Sequence, residues 1–225
     1  MPFHKISQRR LEEELMAKKF TVSKSLLEKY FGGCAFRGKL YKEWNLKVEY
    51  MPKPLRDGIE AHDLIERSLS GEALYDPKTL EPLGSARGID IAERAHNWAE
   101  KNGYEVLDTE VKHLAPLTED IQLFGVIDLL ALDRDGIPVC IDWKTSAKQW
   151  TATKIEDGEL VVIGATGWQG PIYLTPPAKN DILNPEEWPD KMLYVVIPKT
   201  GSVGEFPYYK NEVDDQALLR ACQAV

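Results

Sequence analysis

Residues 124–145 read FGVIDLLALDRDGIPVCIDWKT, and this stretch decides the fold that the sequence predicts. Two runs of β-forming residues flank the turn residues Asp133–Gly136, a pattern typical of an antiparallel hairpin. Asp128 lies in the first run and Asp142 in the second, at a spacing that allows similar heights on neighbouring strands. Lys144 follows Asp142 by two positions, so both side chains share one face of the second strand.

Burying a carboxylate inside a sheet is costly unless a partner compensates its charge. Two of them on adjacent strands repel each other unless a cation lies between them, and a small number of oxygen ligands suits Mg²⁺ or Mn²⁺. Lys144 could then hold the attacking water or stabilise charge that develops on a phosphate. The structural alternative is that Asp142 simply ends its strand. The combination of Asp128, Asp142 and Lys144 favours a hydrolytic metal site.

The composition is that of a soluble globular protein, with 43% hydrophobic and 28% charged residues. We expect one domain over residues 1–225, with a charged N-terminal helix in residues 1–20 and a core over about 21–210. No apolar run is long enough to span a membrane, and the N-terminus lacks the apolar segment of a signal peptide. These features predict a cytoplasmic protein without a membrane partner.

The net charge and the cysteines bear on which ligands and which cellular compartment the protein could have. A net charge of −8 disfavours broad non-specific binding to nucleic acid, although a local basic groove stays compatible with it. The three cysteines, Cys34, Cys140 and Cys222, are far apart and lack metal-binding spacing. They favour a reducing compartment over a disulfide framework or a zinc site.

The first half of the chain reads as helical. We expect a charged helix over residues 7–19, and a second helix capped by Thr21 or Ser23 and stopped at residues 32–33. Prolines predict a broken connection over residues 51–58. The next helix would carry an apolar face at three- and four-residue steps, formed by Ile59, His62, Ile65 and Leu69.

The pattern then changes from helical to alternating. A loop is predicted over residues 76–84, and an amphipathic helix is predicted from residue 86 to a stop at Gly103. Strands are expected over residues 104–113, in the two arms of the hairpin, over 191–201 and over 205–213. The segment 146–158 reads as a polar loop. Together these elements predict an α/β fold with a mixed central sheet flanked by helices.

The hairpin sequence GVID…CIDWK resembles the core of the PD-(D/E)xK nuclease superfamily, and in particular its RecB-like branch. Other pieces agree in order: the segment TVSKSLLEKYFGGCAFRGKLY, the Gly-x-x-x-His spacing from Gly58 to His62, Thr145 after the lysine, and the Gln-x-x-x-Tyr spacing from Gln169 to Tyr173. The fold that this resemblance implies is the restriction-endonuclease-like core.

The resemblance also implies roles for individual residues. His62, by default a core histidine, would be a metal ligand beside Asp128, Asp142 and the backbone carbonyl of Trp143, and the metal would be Mg²⁺ or Mn²⁺. Gln169 and Tyr173 would contact the DNA backbone and orient Lys144; the structural alternative is an ordinary interfacial pair. Because Pro171 is tolerated only in the first turn of a helix, that helix should begin near residues 167–170.

Several residues keep two interpretations. Glu110 is either a solvent-facing strand residue or an accessory group for a metal or water, while His96 and His113 read as surface histidines. Four aromatic residues could stack on unpaired bases or belong to the core: Tyr41, Trp150, Trp168 and Tyr173.

Some related nucleases hold an iron–sulfur cluster on four cysteines, which three cysteines in one chain cannot supply.

The resemblance therefore implies a metal-dependent deoxyribonuclease of the phage or small bacterial type. We expect an exonuclease that acts on DNA ends or single strands in recombination or repair, with a recombinase or a single-strand-binding protein as possible partners. Two alternatives stay open: a non-catalytic protein that binds DNA ends with the same fold, and a ribonuclease.

Overall fold

The structure is a computed structural model that describes residues 20–23, 26–27, 53–146, 154–156, 159–161, 168–209, 216, 218–220 and 222. The predicted helix over 7–19, Cys34, Tyr41 and Trp150 lie outside these residues. The described elements, in chain order, are β1 Phe20–Ser23, α1 Lys53–Leu69, α2 Ala86–Asn102, β2 Glu105–Pro116, β3 Ile121–Leu132, β4 Pro138–Ser146, β5 Lys154–Glu156, β6 Glu159–Val161, α3 Gln169–Tyr173, β7 Lys191–Pro198 and β8 Gly204–Tyr209.

The main sheet is mixed, as the sequence predicts, and it has six strands. Strands β1, β3, β4, β7 and β8 follow one another across it, and β2 pairs with β3. The hairpin β3–β4 is antiparallel, whereas β7 runs parallel to β4 and β1 runs parallel to β3. Strands β5 and β6 form a separate two-stranded hairpin. The short strand β1 was not predicted; its Ser23 hydroxyl accepts a hydrogen bond from the Leu26 N–H at 3.3 Å, which agrees with a helix cap at Ser23.

The β3–β4 hairpin opens at its far end. Strand β4 pairs with β3 only over Leu129–Leu132, while β1 pairs with Ile121–Phe124. Since β2 occupies one edge of β3, both β1 and β4 must use the other edge, and residues 125–128 lie between them. The side-chain alternation also changes here, because Ile127 and Leu129 pack into different core clusters. The gap therefore begins at Asp128.

Helices α1 and α2 cover one face of the sheet. Their buried residues pack with Leu129, Ile141 and Trp143 of the hairpin, and the other core cluster includes Leu130 and Cys140. Successive residues of β4 thus alternate between two apolar layers. Among the described residues, no helix has the length and apolar character that crossing a membrane requires.

Helix α1 corrects two sequence predictions. It begins at Lys53, inside the predicted connection, because Pro54 lies in the first turn, where a missing N–H costs no intrahelical hydrogen bond. Its buried residues are Ala61, Leu64 and Ile65, of which only Ile65 belongs to the predicted face. Leu69 is partly buried against the same cluster, whereas Ile59 is 53% exposed. The packing of α1 against α2 selects that face.

Helix α2 confirms its prediction. The Ser85 hydroxyl accepts a hydrogen bond from the Gly88 N–H at 3.1 Å and caps the N-terminus. Gly103 ends the helix in the left-handed conformation, with φ of 70°, which glycine adopts at little cost. The sequence signals at both ends of this helix were sufficient because they are local.

The prediction that His113 is a surface residue is wrong. Its ring is fully buried, stacks on Trp188 with centroids 5.1 Å apart, and places Nε2 3.0 Å from the carbonyl oxygen of Ile172. A carbonyl can only accept, so Nε2 carries the proton. Burial lowers the pKa of His113 from 6.5 to about 4, and the ring is neutral at physiological pH.

This burial makes stability depend on pH. The pKa of His113 is lower in the folded than in the unfolded chain, so the unfolded chain binds more protons and stability is lost as pH falls from 6.5 to about 4. The loss is about 3 kcal/mol at most. We expect the stability difference between wild type and His113→Gln, measured by urea unfolding, to shrink over this range, because glutamine keeps an N–H donor but does not titrate. A constant difference would contradict a neutral, buried His113.

Candidate metal and catalytic site

Asp128 holds the open end of the hairpin. Its Oδ2 accepts a hydrogen bond from the backbone N–H of Trp143 at 2.8 Å. This bond replaces the strand pairing that ends at Leu129 and Ile141. The same oxygen lies 3.4 Å from Nδ1 of His62, which projects from α1. Asp128 therefore links both strands of the hairpin to the helix above them.

Glu110 joins His62 and Asp128. One ligand atom from each of the three side chains lies within 4.8 Å of the others. The register pairs Thr109 with Leu129 and Val111 with Ile127, which places Glu110 opposite Asp128. Like charges at opposed positions are unfavourable without a bridging cation. Glu110 also has φ of 49°, a conformation that non-glycine residues seldom adopt and that is often found at functional sites.

A second group lies deeper, around Asp142. This carboxylate is 1% exposed, forms an ion pair with Lys144 and accepts a hydrogen bond from Gln169. The Lys144 ammonium donates to Oε1 of Gln169 at 3.2 Å, and Nε2 of Gln169 donates to the Tyr173 hydroxyl at 3.1 Å. Strand β4 carries Asp142 and Lys144, and helix α3 carries Gln169 and Tyr173. Gln169 thus connects Asp142, Lys144 and Tyr173.

Helix α3 begins at Gln169 and holds Pro171 as its third residue, as the sequence predicts. Gln169 and Tyr173 are buried, so they face the protein interior and not a surface that DNA could reach. Their predicted contact with the DNA backbone does not fit this burial, nor does a stacking role for Tyr173. Trp168 is only partly buried and packs against the core.

The electrostatics of the two groups differ. Burial raises the pKa of Asp142 to about 6, the Asp128 charge adds to the rise, and the nearby Lys144 opposes it. Burial alone would lower the pKa of His62, but its hydrogen bond to Asp128 and the carboxylate charges outweigh burial and raise it. Burial and the charge of Asp128 raise the pKa of Glu110. Negative charge concentrates around Asp128, which favours a cation there.

An open cavity of about 610 Å³ lies over Asp128. It is lined by Pro54, Leu55, Gly58, Ile59, His62, Asp63, Glu66, Glu110, Asp128, Trp143, Lys144 and Thr145. Asp142 does not line it and lies behind Lys144. Sequence reasoning did not single out Glu66, although its position one helical turn after His62 is a signal for the same face.

The donor set fits a divalent metal. One imidazole and two carboxylates face the cavity, and two carboxylates with one neutral nitrogen suit Mn²⁺ and, through the oxygens, Mg²⁺. Of the residues predicted as ligands, the structure brings His62 and Asp128 to this point. It also brings Glu110 there, which agrees with the accessory role that the sequence left open, and it places Asp142 beside Lys144.

Comparison with known proteins gives the class. The family model of the PD-(D/E)XK nuclease superfamily matches residues 25–225, and the chain belongs to this superfamily. Its fold is similar to a candidate exonuclease from Eubacterium rectale, with a TM-score of 0.54, 12% identity and coverage of 97% of this chain and 82% of that one. It is also similar to SSO0001, with a TM-score of 0.50, 17% identity and coverage of 96% and 80%. No curated protein matches the sequence.

Proposed function

We propose that this protein is a metal-dependent deoxyribonuclease that hydrolyses phosphodiester bonds, acting as an exonuclease on DNA ends or single strands. The observation that carries the proposal is the cluster of His62, Glu110 and Asp128 over a cavity that Lys144 also lines. Membership of the nuclease superfamily supports it.

The ligands would come from three elements. His62 of α1, Glu110 of β2 and Asp128 of β3 would hold Mg²⁺ or Mn²⁺, and Asp142 with the backbone carbonyl of Trp143 stay predicted as further ligands. A bound divalent ion supplies Lewis-acid polarisation of a phosphoryl oxygen. The chain itself supplies the geometry, because three separate elements fix the ligands around Asp128.

Lys144 would act on the reacting phosphate. Lys144 lines the cavity, and its ammonium contacts Asp142 and Gln169. In that position it can stabilise charge that grows in the transition state or orient the attacking water. Gln169 and Tyr173 would act as positioning residues, since both are buried, Gln169 contacts Lys144 and Asp142, and Tyr173 contacts Gln169.

The test is direct. The protein is incubated with end-labelled single- and double-stranded DNA and RNA in Mg²⁺, Mn²⁺ or EDTA, and products are resolved by size. We expect cleavage of DNA in either metal and none in EDTA. Cleavage of RNA alone would make the protein a ribonuclease, and binding of DNA without cleavage in any metal would overturn the enzymatic proposal. The expected recombinase or single-strand-binding partner, the role in recombination or repair and the cytoplasmic location rest on the resemblance.

A glycine next to the site offers a further test of positioning. A Cβ on Gly125 would lie 2.3 Å from the Tyr173 ring, so Gly125→Ala must displace Tyr173 and the Gln169 that binds it. Misplacing a positioned group by about 1 Å can cost about a hundredfold in rate. We expect kcat to fall by at least about tenfold while Mn²⁺ affinity, measured by calorimetry, stays unchanged. A variant with the kcat of wild type would show that Tyr173 and Gln169 do not position Lys144.

A further inference from the structure

The cavity wall formed by α1 changes character along the helix. Its N-terminal part offers Pro54, Leu55 and Ile59, whereas its C-terminal part offers His62 and the carboxylates after it. Residues 55, 59, 62 and 66 recur at three- and four-residue steps and share one face. Ile59 is separated from His62 by about 4.5 Å of helical rise and Leu55 by about 10.5 Å. The apolar part thus begins directly beside the metal cluster.

The two apolar side chains are open to solvent. Leu55 is 54% exposed and Ile59 53%, on a helix whose other side is fully packed against α2. Adjacent exposed aliphatic residues at the rim of a functional cavity are characteristic of a ligand contact. They belong to the same cavity as Asp128 and Lys144, so a ligand held at the carboxylates is within their reach.

The charges that line the cavity also favour contact with an apolar part of the ligand. Among the described residues that line it, Lys144 is the only lysine or arginine, against Asp63, Glu66, Glu110 and Asp128. Binding of nucleic acid through its phosphates requires several cations. The described wall therefore offers little for a phosphate backbone beyond the metal cluster and Lys144. It offers apolar surface instead, and the apolar part of a nucleotide is the face of its base.

We propose that Leu55 and Ile59 form a subsite for the base of an unpaired nucleotide adjacent to the scissile phosphate. The proposal rests on the nuclease function above and assigns two residues to recognition of an unpaired base in its substrate. Bases in a duplex are stacked and paired, so their faces are not available to a side chain unless the nucleotide leaves the stack. Single strands and frayed ends present such bases without this cost. The subsite thus selects nucleic acid that is unpaired at the point of cleavage.

The experiment compares two oligonucleotides of equal length. One is an unstructured single strand, and the other carries tetrahydrofuran residues, which keep the phosphates but lack bases. We measure kcat/KM on both in Mn²⁺ for wild type, for Leu55→Ala/Ile59→Ala and for Ile137→Ala. Ile137 is a matched control because it is 52% exposed in the hairpin turn, away from the cavity.

Wild type and Ile137→Ala should favour the strand with bases by about tenfold, the change expected when roughly 55 Å² of apolar surface is buried at about 25 cal/mol per Å². The double variant should lose this preference because its kcat/KM falls on the strand with bases and stays unchanged on the strand without them. An equal loss on both strands, or a preference that survives in the double variant, overturns the subsite while leaving the nuclease function intact. Absence of cleavage in wild type overturns both.

A melting curve tests the alternative that protein, and not a base, covers Leu55 and Ile59. In that case the double variant would melt several degrees below wild type. We expect its melting temperature to match that of Ile137→Ala within about two degrees, as is usual for exposed surface substitutions. A large fall together with an unchanged preference between the strands would assign the two residues to a protein contact and overturn the proposal.

Discussion

Lys144→Ala is expected to lower kcat for DNA cleavage in Mg²⁺ by at least about a hundredfold while binding of DNA in Ca²⁺ changes little. A lysine that stabilises charge present only in the transition state affects turnover and not affinity. Ca²⁺ fills an oxygen site but supports little hydrolysis, so it isolates binding. The structure supports this role, since Lys144 lines the cavity and its ammonium is fixed by Asp142 and Gln169.

The control for this prediction addresses the fold and the net charge. Lys112→Ala removes an exposed lysine from β2 and should cleave like wild type. Removal of Lys144 leaves the buried Asp142 without its ion pair, so some loss of stability should accompany the loss of activity. The assay is therefore run well below the melting temperature of the variant. A similar small decrease in both affinity and cleavage would make Lys144 only an anchor for phosphate.

Asp128→Asn is expected to reduce cleavage by at least about a thousandfold, near the upper range for loss of one charge-stabilising group. Asp128 is the residue that His62, Glu110 and the Trp143 N–H all approach. Asparagine keeps an oxygen that accepts from Trp143, so the hairpin should remain folded, whereas the charge that attracts the metal is removed. Mn²⁺ affinity, measured by calorimetry, should fall by at least about tenfold.

Asp135→Asn provides the matched control. Asp135 lies in the exposed turn of the same hairpin, and neither activity nor Mn²⁺ affinity should change. Wild-type cleavage by Asp128→Asn would remove Asp128 from the proposed site. Loss of cleavage with unchanged Mn²⁺ affinity would assign Asp128 to positioning rather than to metal binding.

Much of the fold could be predicted because its signals are local. The hairpin, the strands on either side and helix α2 each carry their own turn, alternation or capping residues. The neighbourhood of Asp142 and Lys144 followed from their two-residue spacing. The start of Gln169–Tyr173 followed from the one position that tolerates Pro171.

The remaining features depend on contacts between distant segments. His113 is buried because Trp188 and Ile172 close over it, and neither residue is near it in the sequence. The conformation of Glu110 arises where β2 faces the gap in the hairpin, so an alternating pattern could not reveal it. The exposure of Ile59 reflects which face of α1 packs on α2. Local periodicity identifies a helix but does not choose between its possible faces.

The dispersal of the site along the chain has a consequence during synthesis. His62, Glu110 and Asp128 leave the ribosome before Gln169, and strand β7, which pairs with β4 along Asp142 and Lys144, follows later still. A nascent chain can therefore contain the residues of the carboxylate cluster while Lys144 still lacks its contact with Gln169. On the proposed function, DNA cleavage therefore requires the last quarter of the chain, which holds Gln169 and β7.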